Sequence, residues 1–160
     1  TFRTRMDVNE SINVGLSLYK DTYSSDKEVA GNLQSTGFQT RYQATTDLEV
    51  LFEIVQGVKT DLDTDSGDDV SVTQTGWFVQ PSYSIGSTTG YLRHEVIDPD
   101  ADTEDDGGTT TILGANIELD GAMNIKLEHH TVKGEDNAAG LSDFEGKGYS
   151  ELKAAVVVGW

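Results

Sequence analysis

Two acidic segments carry the residue spacing that comes closest to a metal site. Residues 61–69 and 98–106 each begin with the pattern D-x-D-x-D, which presents several carboxylates to one Ca²⁺. Both depart from a calcium loop, because Gly67 lies one place late and Val72 and Thr109 cannot chelate at the twelfth positions. A solvated acidic surface is therefore the favoured interpretation, and bound Ca²⁺ is the alternative. The candidate ligands are Asp61, Asp63, Asp65, Asp98, Asp100 and Asp102.

Other catalytic or metal-binding patterns are sparse. The two His residues of the segment 128–130 cannot share a metal in an extended strand, because successive side chains point to opposite faces. The sequence contains no G-x-S-x-G motif, and no helix follows its Gly pairs to form a phosphate loop. The chain has no Cys, and its net charge of -17 argues against nucleic acid as a partner. We therefore predict that the protein is not an enzyme.

Apolar residues are spread along the chain rather than concentrated. The hydrophobic content is 36%, and no apolar run approaches the roughly 18 residues of a transmembrane helix. A membrane-spanning strand needs only about 9–11 residues and is apolar at alternate positions, so it leaves a weak signal in hydropathy. The composition is thus compatible with a chain that crosses a membrane as strands.

Alternation of polar and apolar residues is the dominant pattern. In 111–119 the residues Leu113, Ile117 and Leu119 face one way and Asn116 and Glu118 the other, as in a β-strand with one apolar face. Residues 90–97 fit least well, because His94 falls among the apolar positions. The predicted strands are 2–8, 12–19, 34–44, 48–58, 71–85, 90–97, 110–119, 123–132 and 149–160.

Short and long connections alternate between these strands. The short ones are turns of a few residues, whereas the long ones at 20–32, 59–69, 98–108 and 133–147 hold 18 of the 28 acidic residues. Tight turns at one end and long loops at the other are typical of an outer-membrane barrel. We expect Tyr42, Tyr83 and Trp160, which lie beside short turns, to form part of an aromatic girdle at that end.

Four segments carry a resemblance to a known family. They are RMDVNESINVGLSLY (5–19), RYQATTDLEVLFEI (41–54), NIELDGAMNIKLEH (116–129) and the terminal YSELKAAVVVGW (149–160). In these segments the chain resembles the Gram-negative porin superfamily. The resemblance implies an all-β, antiparallel transmembrane β-barrel in the bacterial outer membrane, in contact with lipid and lipopolysaccharide. It also implies a homo-oligomer, a trimer, whose water-filled channel passes ions and small hydrophilic solutes by passive diffusion.

The predicted strand count of nine is odd, whereas bacterial single-chain barrels normally have an even number. The favoured explanation is that residues 1–160 form one domain, the C-terminal portion of a longer barrel of about 16 strands. An alternative fuses residues 2–19 into one strand and gives a complete eight-stranded barrel with a structural or adhesive role. A third alternative is a soluble β-barrel that binds a ligand inside.

Charged residues occupy the polar phase of the strands. Sixteen strands leave an aqueous channel, which these residues would line, whereas eight strands would pack them into a salt-bridge ladder. We expect Arg3, Arg5 and Arg41 to form the basic side of a constriction, and the acidic loops to favour cations at low salt. The predicted pore-lining residues are Arg3, Arg5, Arg41, Glu49, Glu53, Arg93, Glu95, Glu118, Lys126, Glu128, Glu151 and Lys153.

Overall fold

The computed structural model describes residues 1–24, 30–62, 69–104, 106–120, 123–134 and 148–158, which form one antiparallel sheet of nine strands. The strands are β1 (Phe2–Asn9), β2 (Ile12–Ser24), β3 (Ala30–Gln43), β4 (Leu48–Leu62), β5 (Asp69–Ile85), β6 (Thr88–Asp98), β7 (Gly108–Asp120), β8 (Met123–Gly134) and β9 (Tyr149–Val158). Within these described ranges there is no helix, and hence none long and apolar enough to cross a membrane.

Each strand pairs with its neighbours in sequence, so the sheet is a simple meander. Consecutive strands run in opposite directions, and the connections therefore alternate between the two ends of the sheet. The connections after β1, β3, β5 and β7 lie at one end, here called the short-turn end. The connections after β2, β4, β6 and β8 lie at the other, the long-loop end. This arrangement confirms the predicted meander and the separation of short turns from acidic loops.

Local side-chain hydrogen bonds explain why the chain reverses at the short-turn end. The Asn9 Oδ1 accepts hydrogen bonds from the backbone N–H groups of Ser11 at 2.8 Å and Ile12 at 2.9 Å. In the same way, the backbone N–H of Leu48 donates to Thr45 Oγ1 at 3.0 Å. Between β5 and β6 the turn has two residues, and Gly86 adopts φ 58°, which a residue without a Cβ accepts at little cost. Asn, Thr and Gly thus act here through their turn chemistry.

The two faces of the sheet differ in an unusual way. One face, the apolar face, carries large hydrophobic side chains that are mostly exposed, among them Leu113 at 63% and Leu152 at 80%. The opposite face, the polar face, contains the buried positions Ser82, Tyr91 and Ile112. A soluble sheet buries its apolar side chains and exposes its polar ones. In this sheet, by contrast, the buried positions lie on the polar face.

Strands extend further into the acidic stretches than the alternation predicts. β2 continues to Ser24, and β3 begins at Ala30, so the predicted loop 20–32 shortens to the connection between them. In the same way β4 extends to Leu62 and β5 begins at Asp69. Backbone pairing needs no apolar side chain, and strands therefore continue beyond the point where the polarity pattern ends. The predicted strand bounds were too short at the long-loop end.

The alternative that fuses residues 2–19 into one strand is wrong. β1 and β2 are separate strands that pair with each other, with Arg5 opposite Gly15 and Phe2 opposite Leu18. The pairing shifts register between Asp7 and Asn9, where the chain enters the turn. Within the described ranges β1 and β9 are the edge strands of an open sheet. The structure therefore shows the predicted nine-stranded antiparallel meander without closure into a barrel.

Candidate functional site

All twelve predicted pore-lining residues lie on the polar face. The register carries one row of paired residues through all nine strands and so fixes which side chains share that face. The row is Arg5, Gly15, Gln39, Glu53, Phe78, Glu95, Thr110, Val132 and Tyr149. Residues two apart on a strand point the same way, which adds Arg3, Arg41, Glu49, Arg93, Glu118, Lys126, Glu128, Glu151 and Lys153. Their role in a pore stays a prediction.

Glu128 is the centre of the densest cluster on this face. Its Oε1 accepts a hydrogen bond from the Tyr91 hydroxyl at 2.5 Å and lies 2.8 Å from Lys126 Nζ. Its Oε2 lies 3.3 Å from His130 Nε2. The carboxylate is mostly buried, and each of its oxygens has a polar partner. A buried charge needs such partners, since an unpaired one would be strongly unfavourable.

Tyr91 reaches Glu128 across an intervening strand. Tyr91 lies on β6 opposite Gly114 of β7, and Gly114 in turn lies opposite Glu128 of β8. The tyrosine ring occupies the space above Gly114, where an added Cβ would collide with it. Because Gly114 has no side chain, the ring can lie flat across β7 and place its hydroxyl on the carboxylate. This contact ties three strands together.

Two further ion pairs flank the cluster. On β6 the Arg93 Nε lies 2.5 Å from Glu95 Oε1, and the guanidinium stacks over the Phe78 ring at 3.7 Å from its centroid. On β9 the Lys153 Nζ lies 2.7 Å from Glu151 Oε1. Glu128 lies directly opposite Lys153, so charges of opposite sign also face each other across neighbouring strands.

A polar cavity of about 540 Å³ lies above this cluster. Its lining comes from five neighbouring strands, β5 to β9, and from the polar face alone. Side chains of all five strands thus border one open groove on the polar face. The acidic, basic and histidine side chains of the lining are Arg93, Glu95, Lys126, Glu128, His130, Glu151 and Lys153.

The polar face near β1 is arranged more loosely. Arg41 Nε lies 3.2 Å from Glu49 Oε2, and Arg3 donates to the Gln39 side chain at 2.5 Å. A second cavity of about 510 Å³ lies beside Arg5 and Arg41 at the short-turn end. The three arginines predicted to form a basic group therefore share one region of the polar face, with Arg5 and Arg41 in one cavity lining.

The anomalous His94 also has a structural explanation. His94 lies on the apolar face, where its ring meets Trp77 edge-on with the centroids 5.8 Å apart. Its Nδ1 lies 3.1 Å from the hydroxyl of Thr111, the residue directly opposite on β7. A neighbouring hydroxyl and an aromatic ring thus allow a polar side chain to occupy an apolar position. His129 also lies on this face, opposite Leu152, whereas His130 lies on the polar face, as alternation predicts.

Two of the three aromatic residues expected at the short-turn end can be located. Tyr42 and Tyr83 lie near the ends of β3 and β5, on the apolar face and at the same end of the sheet. Both rings are about half exposed. This placement confirms that they share one end and one face. Trp160 lies outside the described residues.

The proposed calcium ligands are not brought together in the part of the chain that the structure describes. Asp63 and Asp65 lie outside the described residues, as does the side chain of Asp61. Asp100 instead orders its own loop, because its carboxylate accepts hydrogen bonds from the Thr103 hydroxyl at 2.8 Å and the Asp102 N–H at 3.1 Å. No group of three or more metal-ligating side chains occurs among the described residues, including Asp98, Asp100 and Asp102.

Sequence reasoning missed Tyr91 and His130 of the cluster, and Phe78, which stacks on Arg93 beside it. Tyr91 and Phe78 belong to the polar face, although aromatic residues usually indicate the apolar phase of a strand. Alternation predicts that His130 faces away from His129, but it does not predict the contact of His130 with Glu128. The available signal was spacing along the strand. Tyr91 lies two residues before Arg93 and four before Glu95, so its side chain must point to the same face. Comparison with protein-family models, curated proteins and solved structures finds no match to this chain.

Proposed function

We propose that this chain is part of the wall of a transmembrane β-barrel in the bacterial outer membrane, and that the barrel is a porin. The channel would pass ions and small hydrophilic solutes by passive diffusion. The observation that carries this proposal is the inverted burial of the sheet. Large apolar side chains are exposed on the apolar face, while charged and polar side chains of the opposite face are packed against one another. Lipid outside and water inside would stabilise such a wall.

The inverted burial also argues against a soluble ligand-binding barrel. Such a barrel would place its apolar face inward, around the ligand or a packed core, and its polar face in water. Here the apolar face carries exposed residues such as Leu152, and the polar face holds the partly buried cluster of Lys126 and Glu128. An eight-stranded barrel is disfavoured because β1 and β2 are separate strands.

The direction of the edge strands β1 and β9 restricts how many further strands could close the proposed barrel. β1 and β9 run in the same direction because seven antiparallel strands separate them. Antiparallel closure would therefore need an odd number of further strands, and seven more would give the sixteen that leave an aqueous channel. Strand edges within a bilayer must be paired, since unsatisfied N–H and C=O groups there cost several kcal/mol each. We propose that such strands pair with both edges, and that the barrels form a trimer.

Planar-bilayer recording of the full-length protein tests the proposal. We expect stepwise conductance increases, with a conductance that rises with salt concentration, as for a water-filled pore. The protein should need detergent for extraction. A protein that is soluble without detergent would contradict the membrane assignment. One that inserts as a folded barrel and conducts no ions would contradict the channel.

A matched pair of substitutions on β7 tests which face meets lipid. Leu113→Arg places a charge on the apolar face, whereas Asn116→Arg places the same charge on the polar face. For a residue near the bilayer midplane, the first should lower the free energy of unfolding in lipid by ~2–4 kcal/mol. The second should have a much smaller effect. Equal effects of the two substitutions would contradict the assignment of the faces.

A further inference from the structure

The three ion pairs of the large cavity share one orientation. Arg93–Glu95 on β6, Lys126–Glu128 on β8 and Lys153–Glu151 on β9 each join residues two apart on the same strand. Because β9 runs opposite to β6 and β8, the basic residue of every pair lies nearer the short-turn end. Within each pair the cation therefore lies on the short-turn side of its carboxylate, whereas across the strands opposite charges share a level, with Lys153 opposite Glu128.

In each of the three pairs the basic side chain is more exposed than the acidic one. The side chains are exposed by 32% for Arg93 against 22% for its Glu, 42% for Lys126 against 12%, and 51% for Lys153 against 37%. Each cationic side chain is thus more accessible to solvent than its carboxylate partner. A solute that enters the cavity would meet N–H donors before it meets carboxylate oxygens.

Hydrogen-bonding capacity adds to this difference. Glu128 already accepts from Tyr91 and lies within ion-pair distance of Lys126 and His130, so both its oxygens are engaged. An ammonium group carries three N–H donors, and the ion pair with Glu128 uses one of those of Lys126. The same holds for Lys153 and its pair with Glu151. The cluster offers donors to a ligand, while its central acceptor is occupied.

The β7 floor of the cavity carries no charged side chain. Ile112 of β7 lies between Arg93 on one side and His130 on the other, and it is buried. The Tyr91 ring covers its neighbour Gly114. Arg93 is therefore separated from Lys126 by one strand and from Lys153 by two, which places β6 roughly 10 Å from β8 and roughly 14 Å from β9. Neither of these two β7 residues carries a charge that would compete with a ligand for the cations.

We infer that this cavity is a binding subsite for small oxyanions, that is, solutes bearing carboxylate or phosphate groups, held by Arg93, Lys126 and Lys153. The inference deepens the proposed function and rests on it for the route by which solutes reach the cavity. Carboxylate and phosphate oxygens match the guanidinium and ammonium donors. The lining carboxylates keep the site near neutrality, which favours weak, reversible binding suited to passage.

Lysine-resolved NMR tests the site without relying on conductance. The full-length protein in detergent micelles, with its lysines ¹³C-dimethylated so that they keep their charge, is titrated with inorganic phosphate at constant ionic strength. Succinate in a parallel titration represents carboxylates. We expect saturable shifts of the Lys126 and Lys153 signals and none for Lys20, which lies on β2 outside the cavity.

Substitution makes the test quantitative. Lys126→Gln should weaken phosphate binding at Lys153 roughly five-fold, since an exposed charge contact is worth ~1 kcal/mol. Lys20→Gln changes the same charge outside the cavity and should leave the affinity unchanged. Unchanged signals from the other lysines show that each variant is folded.

The outcomes separate the site from the channel. Saturable shifts with phosphate, succinate or both support the oxyanion site, and a response to one alone narrows its class. Equal, non-saturable shifts of every lysine mean ionic screening only and would overturn the site, even in a protein that conducts ions. A protein without conductance that still shows saturable shifts at Lys126 and Lys153 would overturn the proposed channel but keep the site.

Discussion

The polar faces of the first four strands and of the last four strands are filled in different ways. Near β2 and β3 the face is built largely of small residues such as Gly15, Ser17 and Gly37. Between β6 and β9 it carries Tyr91 and a dense set of ion pairs around Glu128. Both regions come from strands with the same polar and apolar alternation. Alternation alone thus specifies a face, whereas the size and charge of the residues decide whether that face is open or packed.

Ion pairs show the difference quantitatively. The Arg41–Glu49 pair in the first region has a separation of 3.2 Å, and the Arg41 side chain is 55% exposed. Arg93 in the second region is 32% exposed and is also stacked on Phe78. Exposed pairs contribute little to stability, because water screens them. Contacts in the second region should therefore contribute more stability than chemically similar contacts in the first.

Gly114→Ala should have the largest effect. The new Cβ would collide with the Tyr91 ring and displace it from Glu128, which combines overpacking with the loss of a charge-assisted hydrogen bond. We expect a loss of about 2–3 kcal/mol in the free energy of unfolding, measured by urea titration in lipid or detergent. Gly57→Ala in the first region is the control, because its Cβ would meet its nearest neighbour at an ordinary 3.6 Å. Equal losses in the two variants would refute the packing of Tyr91 on Gly114.

The same substitution in both regions provides a second test. Tyr91→Phe removes the hydroxyl that donates to buried Glu128, and we expect a loss of about 1.5–3 kcal/mol. Tyr19→Phe removes an equivalent hydroxyl that donates to Asp21 at 2.7 Å on an exposed part of β2. That variant should leave the unfolding free energy nearly unchanged. If Tyr19→Phe costs as much as Tyr91→Phe, burial does not distinguish the two regions.

Removal of the arginines should give a smaller difference. Arg93→Gln removes an ion pair and a cation–π contact, and we expect a loss of about 1 kcal/mol. Arg41→Gln removes only the more exposed pair with Glu49 and should cost less than about 0.5 kcal/mol. A double substitution of Arg93 and Glu95 would then measure the coupling of that pair. A larger loss at Arg41 than at Arg93 would contradict the comparison.

The long-loop end of the second region should respond to pH. Burial, together with Asp98 and Asp100 nearby, raises the pKa of the Asp106 carboxyl. The folded state then binds this proton more tightly than the unfolded state, so lowering the pH from neutral through the folded pKa should increase stability. Asp106→Asn should be more stable than the wild type at neutral pH, and the difference should shrink towards about pH 4.

Thermal unfolding at several pH values measures this effect. Asp102→Asn removes the same charge from an exposed position of the loop and is the matched control. A stability difference between Asp106→Asn and the wild type that grows as the pH falls would contradict the sign of the shift.

The sequence by itself determined which residues share a face and where the chain turns. Side-chain direction in a strand has a period of two, so Lys126, Glu128 and His130 could be placed together before any pairing was known. Turn positions are also local, because Asn9 and Gly86 act through the backbone beside them. These properties depend on nearest neighbours along the chain, and they were predicted correctly.

Only the tertiary structure decided which residues meet across strands. Tyr91 and Glu128 are 37 residues apart, and their contact requires the register of two strand pairs and the absence of a side chain at Gly114. A shift of one residue in either register would send Tyr91 and Glu128 to opposite faces. Strand ends at the acidic loops were likewise decided by backbone pairing, which continues to Ser24 and Leu62 without an apolar pattern. Register is a non-local property. A shift of two residues would leave every side chain on the same face, so the polar and apolar alternation of a strand cannot distinguish between such registers.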